Sequence, residues 1–392
     1  MANPGRLFLQ IPGPTNLPER VQRAMDMAVI NHRGEEFAEL TKRILPRLKQ
    51  VFRTERGTPI VFPSSGTGAC ESALVNTLSP GDGVLAITIG EFSAAWGRMA
   101  KAYKFDVDVL ELPWGSGIAE DAVYAKLMDD KRKKYKAVLT IHNETSTGVT
   151  TDVKAVRAAL DRAKHPALLL VDTVSGLACT DLRFDEWGID VAVTGSQKGL
   201  LLPPGLGLLC ISPKALAAMG SAQSPRSYFD WAPMIEKNRA GIFPYTPVTT
   251  LLYGLDVALD MLLEEGLERI FKRHRRLAEG VRRAVKAWGM KTVAREPQDA
   301  SNVLTAVYLP DGYDADTLIA RTEGELNVAL GAGLGPLAGR AFRIGHLGWI
   351  NEAEILATLG GVELGMKLMN VPFALGSGVT AAQQWFLETH GK

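Results

Sequence analysis

The chain has 392 residues, 46% hydrophobic and 22% charged, the composition of a water-soluble globular protein long enough for two domains around large cores. With 44 Lys and Arg against 43 Asp and Glu the formal charge is +1, which excludes the basic excess of a nucleic-acid or anionic-membrane binder. Cys70, Cys179 and Cys210 are odd in number and never form a C-x-x-C pair, which speaks against a disulfide framework or a zinc site and for a reducing compartment.

The apolar patch of Leu7, Phe8, Leu9 and Ile11 is too short for a signal-peptide core. The prolines of Ile11-Pro12-Gly13-Pro14-Thr15-Asn16-Leu17-Pro18 remove donors and fix φ, so residues 1–20 read as an extended N-terminal arm leading into a helix over 19–27. A polar turn at Asn31-His32-Arg33 precedes a helix over 35–52, with Phe37, Leu40, Ile44, Leu48 and Val51 at helical spacing. From Pro59 the pattern alternates. Strands are expected at 60–62, 84–89, 107–112, 137–141, 168–171 and 191–193, and helices at 68–78, 92–101, 121–127 and 153–163.

Strands separated by helices predict an α/β fold, a mostly parallel sheet covered on both faces, over a large domain spanning 21–250. Ligands of such sheets bind beyond the carboxyl ends of the strands. The longest uncharged apolar stretch, 200–210, is broken by Pro203-Pro204 and falls short of a membrane span. Next, a long helix with Leu251, Leu252, Leu255, Ala258, Leu259 and Leu262 stops at Gly266, a C-cap, and is read as the bridge to a smaller α+β domain within 251–392. That domain is expected to hold helices over 267–288 and 352–368 and strands near 302–308 and 341–344. The chain ends in His390-Gly391-Lys392, which is not a peroxisomal type of ending, and a soluble cytoplasmic protein without metal is expected.

Four strand ends carry residues that chemistry would use. Val191-Ala192-Val193-Thr194 runs into Gly195-Ser196-Gln197-Lys198, a lysine among apolar residues; burial lowers its pKa and frees a nucleophilic amine, whereas on the surface it would be inert. Ser64-Ser65-Gly66-Thr67-Gly68 follows a strand and opens a helix, and reads as an anion cradle or as a structural turn. It is neither a P-loop nor a dinucleotide fingerprint, because Glu71 stands where the third glycine would be. Leu168-Leu169-Leu170-Val171 ends in Asp172, an acid that either meets a cation or caps a turn.

The loop His142-Asn143-Glu144-Thr145-Ser146-Thr147-Gly148 offers hydroxyls and amides to a ligand, or is a plain polar loop. Arg343 interrupts the apolar run Ala341-Phe342-Arg343-Ile344, where its planar fork fits a carboxylate ligand or an internal acid. Together these parts specify a cofactor with a phosphate, an aromatic nitrogen and an aldehyde able to bond a lysine. Pyridoxal phosphate has all three.

At these residues the sequence resembles the class V, fold-type I pyridoxal-phosphate aminotransferases of the serine–glyoxylate and alanine–glyoxylate group. The resemblance lies in Pro12-Gly13-Pro14-Thr15-Asn16, Ser65-Gly66-Thr67-Gly68, His142-Asn143-Glu144-Thr145, Leu169-Leu170-Val171-Asp172, Asp185-Glu186-Trp187-Gly188, Thr194-Gly195-Ser196-Gln197-Lys198, Tyr245-Thr246-Pro247 and Phe342-Arg343-Ile344-Gly345-His346-Leu347-Gly348. It implies Lys198 as the Schiff-base lysine and Asp172 as the partner of the pyridine nitrogen. By the same resemblance Ser65, Gly66, Thr67, Gly68 and Gln197 belong to the phosphate site, and Thr145 and Thr147 to the cofactor's surroundings.

The resemblance further implies that Phe92 lies over the cofactor and that Arg343 binds the substrate α-carboxylate. Tyr245 and Thr246 would reach the phosphate of a neighbouring subunit's cofactor, which makes the expected unit a homodimer with shared active sites. The sequence departs from the group at Ala69-Cys70, where a bulkier aromatic or a histidine is common, and at Thr173, where glycine or serine is usual. The activity implied is transfer of an amino group from L-serine, alanine or aspartate to glyoxylate. The competing readings are a class V lyase or desulfurase, which needs a mobile nucleophilic cysteine, and a non-catalytic protein that only binds the cofactor.

Overall fold

A computed structural model describes residues 4–391. Its larger sheet has seven strands in the spatial order Thr58–Pro63, Leu206–Ile211, Val191–Gly195, Leu168–Asp172, Tyr135–Ile141, Gly83–Thr88 and Asp106–Glu111. Leu206–Ile211 runs antiparallel to both neighbours and the remaining pairs are parallel. The unbroken apolar runs explain this placement, because a strand covered by helices on both faces has no polar side to present. The helix Gly66–Thr77 covers Val191–Gly195 and Leu206–Ile211, and Glu91–Ala102 covers Gly83–Thr88. The parallel register sets Asp172 beside Ile141 and Val193, so the loops that follow these strands open along one edge.

The second sheet has four strands in the order Phe8–Gln10, Val328–Ala332, Ala341–Gly345 and Leu304–Tyr308. The arm therefore begins as a strand rather than a loose apolar patch, Phe8 pairing in parallel with Val328 and Gln10 with Leu330. Helices Leu267–Ala287, Ala315–Leu326, Glu352–Leu368 and Ser377–Glu388 accompany this sheet, around a core that includes Leu277, Val281, Phe342, Ile344, Leu359 and Met366.

Other elements also differ from expectation. The apolar stretch 200–210 holds an antiparallel strand, Leu206–Ile211, that was not among the expected strands, and Pro203-Pro204 lies in the loop before it. Val328–Ala332 follows its preceding helix through one left-handed residue, Asn327 at φ 54°, too abruptly for a turn signal. The helix Thr249–Glu265 buries Leu252, Leu255, Ala258, Leu259 and Leu262 in the core that also holds Val21 and Phe37. The crossing between cores falls one helix later than the expected bridge. Leu267–Ala287 buries Ile270 and Phe271 in the first core and Leu277 and Val281 in the second. Gly266 makes the corner at φ 82°, its N–H donating to Leu262 O at 2.9 Å. Among the described residues no helix is long and apolar enough to cross a membrane, and no cluster of three His, Cys, Asp or Glu could hold a metal.

Candidate active site

Lys198 occupies the loop between the antiparallel strands Val191–Gly195 and Leu206–Ile211. Ser196 fastens that loop: its N–H donates to Leu206 O at 3.0 Å, and its hydroxyl donates to Pro203 O at 2.7 Å and accepts from Leu206 N–H at 3.1 Å. The arm lies across the loop, with Thr15 N–H donating to Gln197 O at 3.2 Å and the Lys198 Nζ donating to Pro12 O. A Cβ on Gly13 would fall 2.6 Å from Lys198 Nζ, and Gly13 sits at φ +104°, so glycine is required for this approach. Lys198 is 8% exposed. Burial, and then the like charge of Arg343, lower its ammonium to about 8, while Asp172 and Cys179 pull the other way. The buried amine is therefore partly neutral near physiological pH.

Asp172 ends its strand with Oδ1 accepting from Val174 N–H at 2.8 Å. Burial raises its carboxyl to about 7; the Val174 bond lowers it, the charge of Glu144 raises it, and Lys198 lowers it again. Both residues line a cavity of about 410 Å³ together with Ser65, Gly66, Thr67 and Gln197. Ser65 caps the helix Gly66–Thr77 by accepting from Gly68 N–H at 3.3 Å. The first helical N–H groups have no intrahelical acceptor, and no acid occupies this first turn, so the helix start favours an anion.

An adjoining cavity of about 280 Å³ shares Gly13, Phe92, Thr145 and Lys198 with the first and adds Arg343. Arg343 projects from the smaller sheet, donating through Nε to Ala332 O at 2.7 Å and through Nη1 to Thr145 O at 2.9 Å. Its Nη2 has no partner among the described residues. Burial lowers the guanidinium to about 10, with Glu144 supporting its charge, and it stays cationic at neutral pH. A cation so fixed, with one nitrogen unclaimed, suits a small carboxylate. Arg343→Ala is expected to raise KM for every amino donor by about 100-fold while changing kcat less, in line with the loss of a charged hydrogen-bonded pair. Unchanged KM values across a donor panel would remove this role.

The structure thus brings Ser65, Gly66, Thr67, Phe92, Thr145, Asp172, Gln197, Lys198 and Arg343 together. Gly68 lines neither cavity; its N–H is taken by Ser65, and a Cβ there would meet Phe229 Cζ at 2.9 Å. Thr147 is buried away from both cavities, in the turn its N–H closes onto Glu144 O at 3.3 Å. Tyr245 stacks on Tyr228 with ring centroids 4.5 Å apart, Thr246 is exposed, and neither reaches the cavities of this chain. Neither Pro12 O nor the buried Glu144 stands out in the sequence, because backbone groups and distant partners leave no local signal.

The residues present fit pyridoxal phosphate. Gln197 Oε1 is buried beside the helix start without a hydrogen-bond partner among the described residues, and the amide can present either end in the same space. A Cβ on Gly66 would fall 2.7 Å from Val174 Cγ2, so the helix start and the Asp172 turn close together only around glycine. The three thiols are buried, and burial pushes each of them up, Cys179 to about 11, which leaves no ready thiolate for a desulfurase.

A buried lysine, a strand-end acid and an anion cradle on one edge of such a sheet define a fold-type I pyridoxal-phosphate-dependent enzyme. The chain belongs to the aminotransferase class-V family, whose profile matches residues 7–335. It is 48% identical over 391 residues to the serine–glyoxylate aminotransferase of Arabidopsis thaliana, covering 100% of this chain and 97% of that protein. It is 46% identical to the L-aspartate–glyoxylate aminotransferase of Paracoccus denitrificans over 97% of this chain and 96% of the relative. Among solved structures, the ureidoglycine–glyoxylate aminotransferase of Bacillus subtilis superposes with a TM-score of 0.91 at 26% identity, covering 99% of both chains. The chain is a transaminase that uses pyridoxal phosphate.

Proposed function

We propose that this protein transfers the amino group of L-serine to glyoxylate, giving glycine and the 2-keto acid of the donor, with alanine and aspartate as rival donors. The observation that carries the reading is the placement of Lys198 in both cavities, with Asp172 lining the first and Arg343 the second. The names of the relatives support glyoxylate as acceptor and serine or aspartate as donor.

Ser65, Thr67, Gln197 and the first N–H groups of the helix would hold the cofactor phosphate, Asp172 its ring nitrogen, and Phe92 and Thr145 its ring. When bound, pyridoxal phosphate supplies an aldehyde that takes up the amino group and a ring that withdraws the electron pair left at the substrate Cα. Arg343 binds the α-carboxylate and so fixes where Cα lies. Nζ of Lys198 takes the Cα proton as general base, its lowered pKa keeping part of it unprotonated. Pro12 O steers that amine. In the second half-reaction the same groups act in reverse on glyoxylate, whose carboxylate takes the same place on Arg343.

The proposed unit is a cytoplasmic homodimer in which Tyr245 and Thr246 complete the partner's phosphate site. Support comes from the exposure of Thr246 and from a groove of about 1020 Å³ that includes Phe8 and the 46% exposed Trp349. Absorbance tests the activity. L-Serine should convert the visible band of the bound cofactor to that of its amine form, and glyoxylate should restore it. A spectrum indifferent to every amino acid would defeat the proposal, and a response to alanine or aspartate alone would replace the donor.

A further inference from the structure

Glu144 is 0% exposed, yet the chemistry above does not use it. Its carboxylate is crowded by donors. Oε2 accepts from Ser93 N–H at 3.0 Å and Ser93 Oγ at 2.9 Å; Oε1 accepts from Phe92 N–H at 3.3 Å, Ser146 N–H at 3.0 Å and Ser146 Oγ at 2.7 Å. Ser146 Oγ in turn accepts from Glu91 N–H at 3.0 Å. The first three N–H groups of the helix Glu91–Ala102 thus close on Glu144 and Ser146, where the helix dipole favours a negative charge. A Cβ on Gly90 would fall 2.6 Å from Glu144 Cδ, so the helix comes this near only because that residue is glycine.

The contacts lead to two parts of the site. Phe92, on the capped first turn, lines both cavities. Thr145, the next residue after Glu144, receives Arg343 Nη1 on its carbonyl at 2.9 Å. One carboxylate therefore ties the backbone of the ring expected over the cofactor to the loop on which the guanidinium rests. A carboxylate that only stabilised the fold would need no link to either.

We propose that Glu144 is a positioning residue that holds Phe92 and Arg343 in register, so that cofactor binding and substrate-carboxylate binding depend on the same buried contact. The inference rests on the transaminase reading. It goes beyond it by assigning coupled effects to a residue that touches neither ligand.

Two variants test it. Glu144→Gln keeps the shape but removes the charge and turns an amide NH2 toward backbone donors; Ser93→Ala removes one donor and keeps the carboxylate. Pyridoxal phosphate is titrated into the cofactor-free protein by absorbance, and KM and kcat are measured with serine and glyoxylate. For Glu144→Gln the Kd of the cofactor and the KM of serine should each rise about 10-fold, with kcat within about 3-fold of wild type, the scale of one lost charged hydrogen bond. The visible circular dichroism of the bound cofactor should weaken in step. Ser93→Ala should move both constants the same way by about 3-fold, and it alone decides if Glu144→Gln does not fold.

Wild-type Kd and KM in the variants, whatever happens to Tm, would overturn the proposal, as would a change in only one of the two constants. If wild-type protein takes up no pyridoxal phosphate, the functional reading fails and takes this one with it. Normal wild-type uptake beside unaltered variants removes only the role of Glu144.

Discussion

Lys198→Ala should abolish transamination, with kcat down by at least about 10³-fold, while the protein still binds pyridoxal phosphate without a covalent link. The helix start, Asp172 and Gln197 remain in the variant, so the phosphate and ring nitrogen keep their partners. What is lost is the one amine that, among the described residues, reaches both cavities. Borohydride should fix the cofactor to wild-type protein and not to the variant. Small primary amines should restore part of the rate, because the removed side chain leaves room beside Gly13. Turnover at the wild-type rate would refute the assignment of Lys198.

Asp172→Asn should lower kcat by about 10³-fold with cofactor still bound, because an amide cannot hold a proton on the ring nitrogen as a carboxylate does. The same substitution has the opposite effect on the cofactor-free chain. There the buried carboxyl titrates at about 7 in the folded state, against 3.8 for the ordinary group. Between those values the folded chain binds more protons than the unfolded one, so the stability this group contributes is full below the lower value and lost as pH rises through 7. Cofactor-free Asp172→Asn should therefore melt a few degrees above wild type at pH 8, the gap closing toward pH 4. Thermal melts at both pH values, with and without pyridoxal phosphate, check the reversal, and identical profiles would show that Asp172 meets no special environment.

Much of this site was legible because the strands are apolar and end abruptly. Asp172, Lys198 and Arg343 each stand out as one charged residue against a hydrophobic run, and a charge kept there must have a partner. The α/β class was legible for the same reason, since runs covered on both faces have no other explanation. What stayed hidden depends on pairing between distant segments. Glu144 looks like any loop acid until Phe92 and Ser93, 52 and 51 residues earlier, close on it. The resemblance places Thr147 beside the cofactor with Thr145, yet the turn closed onto Glu144 O sends it into the interior. Leu206–Ile211 stayed hidden because it lies in an apolar stretch weighed only as a membrane span, and its antiparallel pairing with Thr58–Pro63 and Val191–Gly195 leaves no local signal.

The pairing of Phe8–Gln10 with Val328–Ala332 has a consequence for how the enzyme is made. The segment that carries Pro12 O and Gly13 to Lys198 is made before the whole larger sheet, but the strand that anchors it is made only after that sheet. During synthesis the amine can be seated in its loop while the wall above it is still missing. Competence for turnover must therefore wait until Phe8–Gln10 pairs with Val328–Ala332, and a nascent chain halted before Val328 would carry an open, unguarded lysine.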